Sequence, residues 1–186
     1  MPKIVAQKID WIKLGFKLFA KNGVSGIVIE QMSKQLNCNK SSFYWHFNTK
    51  KEFINQLANF WVENETKKII TLTSSEATGI DKLNKLIEVI YKKMPYSDFV
   101  LYLKRYAIKD KAISDIIDSV DRQRMDYVYG LLVEIGYSNS DAKIKSSLLY
   151  KHLIGCHEIM RYKELDDNYY INVKKEIHQI IDRLKD

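Results

Sequence analysis

The sequence predicts an all-α protein in two parts, a short basic head and a longer, nearly neutral helical remainder. Three observations carry this. Prolines occur only at 2 and 95, and the seven glycines fall mostly where helices would break. Apolar residues recur at intervals of three and four, and no strand-like alternation, internal repeat or low-complexity segment stands out. The net charge of +7 is uneven: residues 1–53 hold nine lysines against Asp10, Glu30 and Glu52, so the head carries all but one of the excess positive charges.

Residues 8–22 place Ile9, Ile12, Phe16 and Phe19 at helical spacing, with lysines opposite, and Gly23 stops that helix. A short second helix is expected from about Ile29 to Leu36, marked by Ile29, Met32 and Leu36. Asn37 suits a left-handed turn, and Asn39 suits an N-cap for a third helix starting at Lys40. The third helix lies in the densest aromatic run of the chain, Phe43-Tyr44-Trp45-His46-Phe47. Phe43 and Phe47 are four apart and can both face inward. Lys40, Ser41 and Ser42 then fall in the first turn, and Tyr44, Trp45 and His46 on the flanks. Two short helices joined by a tight turn after a longer one make a helix-turn-helix, whose second helix enters the major groove of DNA.

The charge points the same way. A basic module joined to a neutral one concentrates polyanions at one end of a molecule. The basic part lacks the long apolar face of an interfacial helix, so nucleic acid fits better than membrane. Lys40, Ser41, Ser42, Tyr44 and Trp45 are the expected base-reading residues. Tyr44, His46, Thr49 and Lys50 are expected to hold phosphates, with Thr49 capping a fourth helix whose N-terminus is a natural anion site.

On these residues the chain resembles the tetracycline-repressor (TetR) family of transcriptional regulators. The resemblance spans residues 8–60 and rests on LFAKNG (18–23), FYWHF (43–47) and NTKKEF (48–53). Departures are Ile27 and Val28 where the family opens its second helix with Thr or Ser, Ser33 for Ala, Asn37 for the turn glycine and Cys38 for a buried Val. The resemblance implies a helix-turn-helix DNA-binding domain at 1–53, continuing into a connecting helix at 50–70. An effector-binding and dimerisation domain would follow at 54–186. It implies a homodimer on a semi-palindromic double-stranded operator, most often a repressor released by a small molecule.

The neutral part reads as further helices. One long helix continues from Phe53 to about Thr71, with Phe53, Leu57, Phe60 or Trp61, and Ile69 on a stripe, and TLTSSEATG (71–79) has loop composition. Thr78 to Asp81 is a capping pattern for a helix that runs to Met94 and stops at Pro95. Ser97 can cap the next, to about Lys109, and a longer one spans roughly 112–135 before Gly136. Ser138 to Asp141 repeats the capping pattern for a helix to about Lys163, and the last runs from about Tyr169 to Leu184. Wide apolar arcs on the final two helices suggest a self-pairing bundle built on Leu148, His152, Gly155, Cys156, Ile159, Val173, Ile177, Ile180 and Leu184. Tyr91, Met94, Phe99, Tyr102, Tyr106, Met125, Tyr129 and Tyr150 are large and partly polar, and suit the walls of an effector cavity or, equally, a plain core.

No catalytic constellation stands out, nor any Gly-rich phosphate loop or nucleophile elbow. His152, Cys156 and His157 share part of one helix, but no second ligand pair matches them, so neither metal nor cofactor is expected. Asp115, Asp118, Asp121 and Asp126 read as a solvated acidic face. No apolar run approaches the ~18–20 residues that span a bilayer. Two distant cysteines and no signal-peptide pattern suggest a reduced, cytoplasmic protein. The rival readings are an α-helical enzyme working in a central cavity and a helical adaptor for an acidic protein.

Overall fold

The structure, a computed structural model, describes residues 6–92, 98–161 and 168–184. The described residues form ten α-helices, with a 3-10 turn and a π-helical segment between some of them, and no strand. The helices are α1 (Lys8–Asn22), α2 (Ile29–Gln35), α3 (Ser41–His46), α4 (Lys50–Val62), α5 (Lys68–Ser74), α6 (Gly79–Lys92), α7 (Phe99–Ala107), α8 (Lys111–Glu134), α9 (Asn139–Ile159) and α10 (Tyr169–Ile180). No described helix is long and apolar enough to cross a membrane.

By packing, the chain divides into two compact units, Met1–Glu63 with Ser97–Ser119, and Asn64–Tyr96 with Val120–Asp186. A boundary at 53/54 therefore separates charge but not packing. Residues 54–63, α7 and the first turns of α8 belong with the basic helices.

In the first unit, Trp11, Ile12, Phe19, Met32, Phe43, Phe53, Ile54 and Leu57 are buried together. The expected stripe of α1 holds except at Ile9, which stays exposed. Gly15 is required where α1 meets α4: a Cβ there would lie 2.3 Å from Phe53 Cζ. The turn after α2 is made by Asn37, whose φ of 49° is left-handed. The cap expected at Asn39 does not form: the helix begins at Ser41, one residue later than the pattern suggests, so Lys40 takes the N-cap position with no side-chain cap bond, and Asn39 only accepts from Ser42 N through its carbonyl at 2.9 Å. α7 completes this core. The Phe99 ring stacks on Phe16 at 4.2 Å and tilts against Phe19 at 5.1 Å.

The second unit has its own core of Leu83, Ile87 and Tyr91 from α6, Leu131 and Leu132 from α8, Ala142 and Leu149 from α9, and Val173 and Ile177 from α10. The helix expected to run unbroken from Phe53 to Thr71 instead passes through a π-helical segment at Glu63–Lys67. Arg124 is bonded to that segment. Its guanidinium donates to Thr66 Oγ1 at 2.9 and 3.1 Å and to the Glu65 carbonyl at 3.1 Å. α5 then continues to Ser74, into the stretch that composition marks as loop. Thr73 is buried there, donating to the Ile69 carbonyl at 2.9 Å and sharing a 2.7 Å hydrogen bond with Tyr127. Both capping patterns form: Asp81 N donates to Thr78 Oγ1 at 3.2 Å, and Asp141 N to Ser138 Oγ at 3.1 Å. Gly136 ends α8 with φ 97°. α10 stops at Ile180, short of Leu184. Pro95, Ser97 and Lys163, invoked as a helix stop, a cap and a helix end, lie outside the described residues.

Candidate nucleic-acid interface

α3 is only six residues long, so its own hydrogen bonds cannot hold it and its inner face must. Phe43 does this. It is fully buried, with ring centroids 5.3 Å from Trp11 and 5.1 Å from both Phe47 and Phe53. Burying one such ring contributes about 2–3 kcal/mol. The outer face then has a set direction. Lys40 and Ser41 are exposed, Tyr44 is 48% exposed and Trp45 is 78% exposed. An exposed indole offers an N–H and a flat face that suit a groove wall or a sugar.

Three of the expected DNA contacts have other work in the structure. Ser42 is buried at 8% exposure; its hydroxyl accepts from Trp11 Nε1 at 3.5 Å and donates to the Ala6 carbonyl at 3.4 Å. It points inward because it precedes Phe43 on the same inner face, so it cannot read a base. His46 Nε2 donates to the same Ala6 carbonyl at 2.9 Å, which ties the segment before α1 to the end of α3. That leaves Nδ1 as its remaining polar atom. Lys50 Nζ donates to the Val24 carbonyl at 2.9 Å, and burial pulls its ammonium below the ordinary lysine range. It pins the 3-10 turn Gly23–Gly26 to the start of α4.

Thr49 caps α4 as expected, accepting from Glu52 N at 3.0 Å, and its own hydroxyl proton remains available. A carboxylate of the chain itself lies beside the anion site expected at this helix start. Glu52 Oε2 accepts from Asn48 N at 3.0 Å and from Asn48 Nδ2 at 2.9 Å. A further charge pairing was not visible in the sequence. Lys51 Nζ meets Asp110 at 3.0 Å, and this hydrogen bond holds the Asp110 carboxyl below the usual carboxylate range. The two residues are far apart in sequence, so no local pattern could have paired them.

The proposed effector residues fall into both units. Phe99 is core of the first unit, stacked as described, and Tyr102 packs edge-on to Phe19 at 6.4 Å with its hydroxyl donating to the Lys21 carbonyl at 3.5 Å. Tyr106 is half-buried beside Asp110 in that unit. In the second unit Tyr129 donates to Asn139 Oδ1 at 3.2 Å, and Tyr150 donates to Asp121 Oδ1 at 2.5 Å. Burial and then Asp121 push the Tyr150 hydroxyl up to about 12. Met125 is half-buried there, and Met94 lies outside the described residues. Tyr91 is buried in the core and shares a 2.9 Å hydrogen bond with His152 Nδ1. A shallow cleft of about 380 Å³ in the second unit is lined mostly by charged residues, among them Lys85, Glu88 and Lys174, with Asn84 and Tyr170.

The expected pairing residues also divide. Val173, Ile177 and Leu184 are buried in the core of their own unit at 3%, 0% and 9% exposure, so they are closed to a second chain, and Ile180 is half-buried against that core. Leu148 and Ile159 are exposed, at 46% and 61%, and a Cβ built on Gly155 would meet none of the described residues within 4 Å. Ile144, not singled out by the pattern, is 58% exposed one turn before Leu148. His152 and Cys156 turn toward α10, where Glu176 joins them.

No protein-family description and no curated protein matches this sequence. Solved structures do match its fold. A TetR transcriptional regulator from Legionella pneumophila superposes with a TM-score of 0.73 at 15% identity, covering 98% of this chain and 100% of that one. A TetR-family regulator from Streptomyces coelicolor gives 0.77 at 14% identity, covering 95% and 93%. A fatty acid degradation regulator from Bacillus halodurans gives 0.70 at 14% identity, covering 94% and 97%. The chain has the fold of the TetR-family regulators over nearly its full length.

Proposed function

We propose that this chain, built on the TetR-family fold, is a sequence-specific DNA-binding transcriptional regulator that acts as a homodimer and answers to a small molecule. The observation that carries the reading is α3: a short helix anchored by buried Phe43, presenting Lys40, Ser41, Tyr44 and Trp45 outward. In the major groove, Lys40 and Ser41 would face base edges, while Tyr44 and Trp45 would cover sugar and backbone. Thr49 would contribute a phosphate contact through its hydroxyl. His46 and Lys50 act indirectly, by fixing the ends of α3 and α4.

Pairing has a physical motive, since one six-residue helix reads few base pairs and a two-fold pair doubles them. The exposed aliphatic residues Ile144, Leu148 and Ile159 of α9, with Gly155 open among them, support α9 as the pairing face. Most regulators of this kind repress and are released by an effector, and we assign the same behaviour here. The Met125, Tyr129 and Tyr150 neighbourhood of the second unit is the effector region we favour.

The purified protein should retard a duplex from its own promoter, with affinity falling steeply as salt rises because bound lysines release condensed counterions. If promoter fragments compete no better than random DNA, the regulator reading is wrong.

A further inference from the structure

Three helices of the second unit bring together a set of side chains that the DNA-binding reading does not use. His152 and Cys156 are one turn apart on α9, so their side chains share a face. Glu176 of α10 reaches the same point. His152 Nε2 lies 2.9 Å from Glu176 Oε2 and 3.7 Å from Cys156 Sγ, and one ligand atom from each residue lies within 4.8 Å of the others. Tyr91 of α6 stands behind, its hydroxyl 2.9 Å from His152 Nδ1.

We propose that His152, Cys156 and Glu176 form a site for a thiophilic divalent cation of the zinc class, with Tyr91 orienting the histidine. One nitrogen, one sulfur and one carboxylate oxygen are a zinc donor set. Bonds of about 2.0–2.3 Å in a tetrahedron put the donors roughly 3.3–3.7 Å apart. The 3.7 Å sulfur–nitrogen separation matches in length, but Sγ is nearly as close to Nδ1, at 3.8 Å, so the Cys156 side chain must turn toward the Nε2 edge, and the 2.9 Å nitrogen–oxygen pair must open by a few tenths of an ångström. A thiolate beside an imidazole selects against magnesium and calcium, which prefer all-oxygen sites.

The protons balance. The imidazole proton sits on Nε2 when that nitrogen donates to Glu176. The cation takes that position, the proton moves to Nδ1, the Tyr91 hydroxyl rotates its own proton off Nδ1, and Nδ1–H donates to the Tyr91 oxygen across the same 2.9 Å contact. The Cys156 thiol gives its proton to solvent. Tyr91 is then the outer partner that fixes the tautomer and ring orientation, the role such partners play at metal sites. Three protein ligands leave the fourth position to water. Entry is open on one side, because the Glu176 side chain is 60% exposed while that of His152 is only 17%.

Cobalt(II) titrated into chelator-stripped full-length protein tests this, since a cobalt–thiolate bond absorbs in the near ultraviolet and tetrahedral cobalt absorbs strongly in the visible. The expected result is one equivalent per chain with both features, displaced by zinc(II). Cys156→Ser should abolish the thiolate band, while Cys38→Ser, which changes the other cysteine, should keep it. Glu176→Gln should weaken binding about tenfold or more, and Tyr91→Phe about 10–100-fold without loss of the band. Helix content by circular dichroism confirms that each variant is folded. A wild-type spectrum without the thiolate band overturns the site. So does a band that survives Cys156→Ser or disappears with Cys38→Ser. No DNA enters the experiment, so its outcome is independent of the regulator reading.

Discussion

α3 and α9 both leave large hydrophobic side chains in water, and they do so differently. α3 exposes Trp45 and Tyr44, rings with a polar tip, next to Lys40 and Ser41. α9 exposes Ile144, Leu148 and Ile159, branched aliphatics with no polar atom, around a glycine with open space above it. A surface of amphipathic rings and a cation is matched by a partner that is itself polar, charged and flat-sided. Aliphatic side chains around a glycine are matched by a second surface of the same kind. Exposed apolar area by itself therefore says only that a partner is expected, and the polar atoms attached to it say which kind.

The largest expected effect tests what holds the first surface in place. Phe43→Ala removes a fully buried ring from α3 and should cost about 3–5 kcal/mol of stability. Chemical denaturation measures this, and a loss under ~1 kcal/mol would mean that Phe43 does not anchor the helix.

Gly155→Glu addresses the second surface. Among the described residues nothing lies within 4 Å of a Cβ built at this position, so the variant should fold. Placed in a two-fold contact it buries an unpaired charge. Sedimentation should show a monomer, and operator affinity should fall about 100-fold, or ~2.7 kcal/mol, with no DNA-facing residue altered. A variant that remains dimeric and binds normally moves the interface off α9.

Trp45→Ala separates the two faces of α3. Binding should weaken by about 2 kcal/mol, as for an exposed aromatic that becomes covered. Thermal stability should stay within ~0.5 kcal/mol of wild type because the ring has little to lose in the free protein. Equal losses in binding and stability would place Trp45 in the fold rather than in the contact.

Lys40→Ala should cost about 1 kcal/mol and, if its ammonium reaches a guanine edge, change sequence preference across operator variants. A uniform loss on all variants would assign Lys40 to phosphate. Ser42→Ala should show the smallest effect, about 0.5 kcal/mol of stability from its long bonds to Trp11 and Ala6, with sequence preference unchanged. A shift in preference would return Ser42 to the groove.

Much of this was legible along the chain. The boundaries of α1, the left-handed Asn37, both capping patterns and the end of α8 at Gly136 are local events, decided within a few residues by backbone sterics and side-chain caps. The LFAKNG, FYWHF and NTKKEF segments carried the resemblance to the TetR family, and the chain's fold matches regulators of that family at low identity.

The sequence by itself thus determined the all-helical class, the bounds of α1, the caps of α6 and α9, the stop of α8 and the aromatic inner face of α3, but not the π-helical break at Glu63–Lys67 or the run of α5 to Ser74. Tertiary structure decided which side of each remaining helix is inside. Ser42 looks like a groove residue until Trp11 and Ala6, more than thirty residues away, take its hydroxyl. Val173 and Ile177 read as an interface until α6, α8 and α9 enclose them. Glu176 acquires a partner only when α10 packs beside α9. Helical periodicity specifies an apolar arc, but burial depends on which other element covers that arc, and that choice is made by residues far away in the chain.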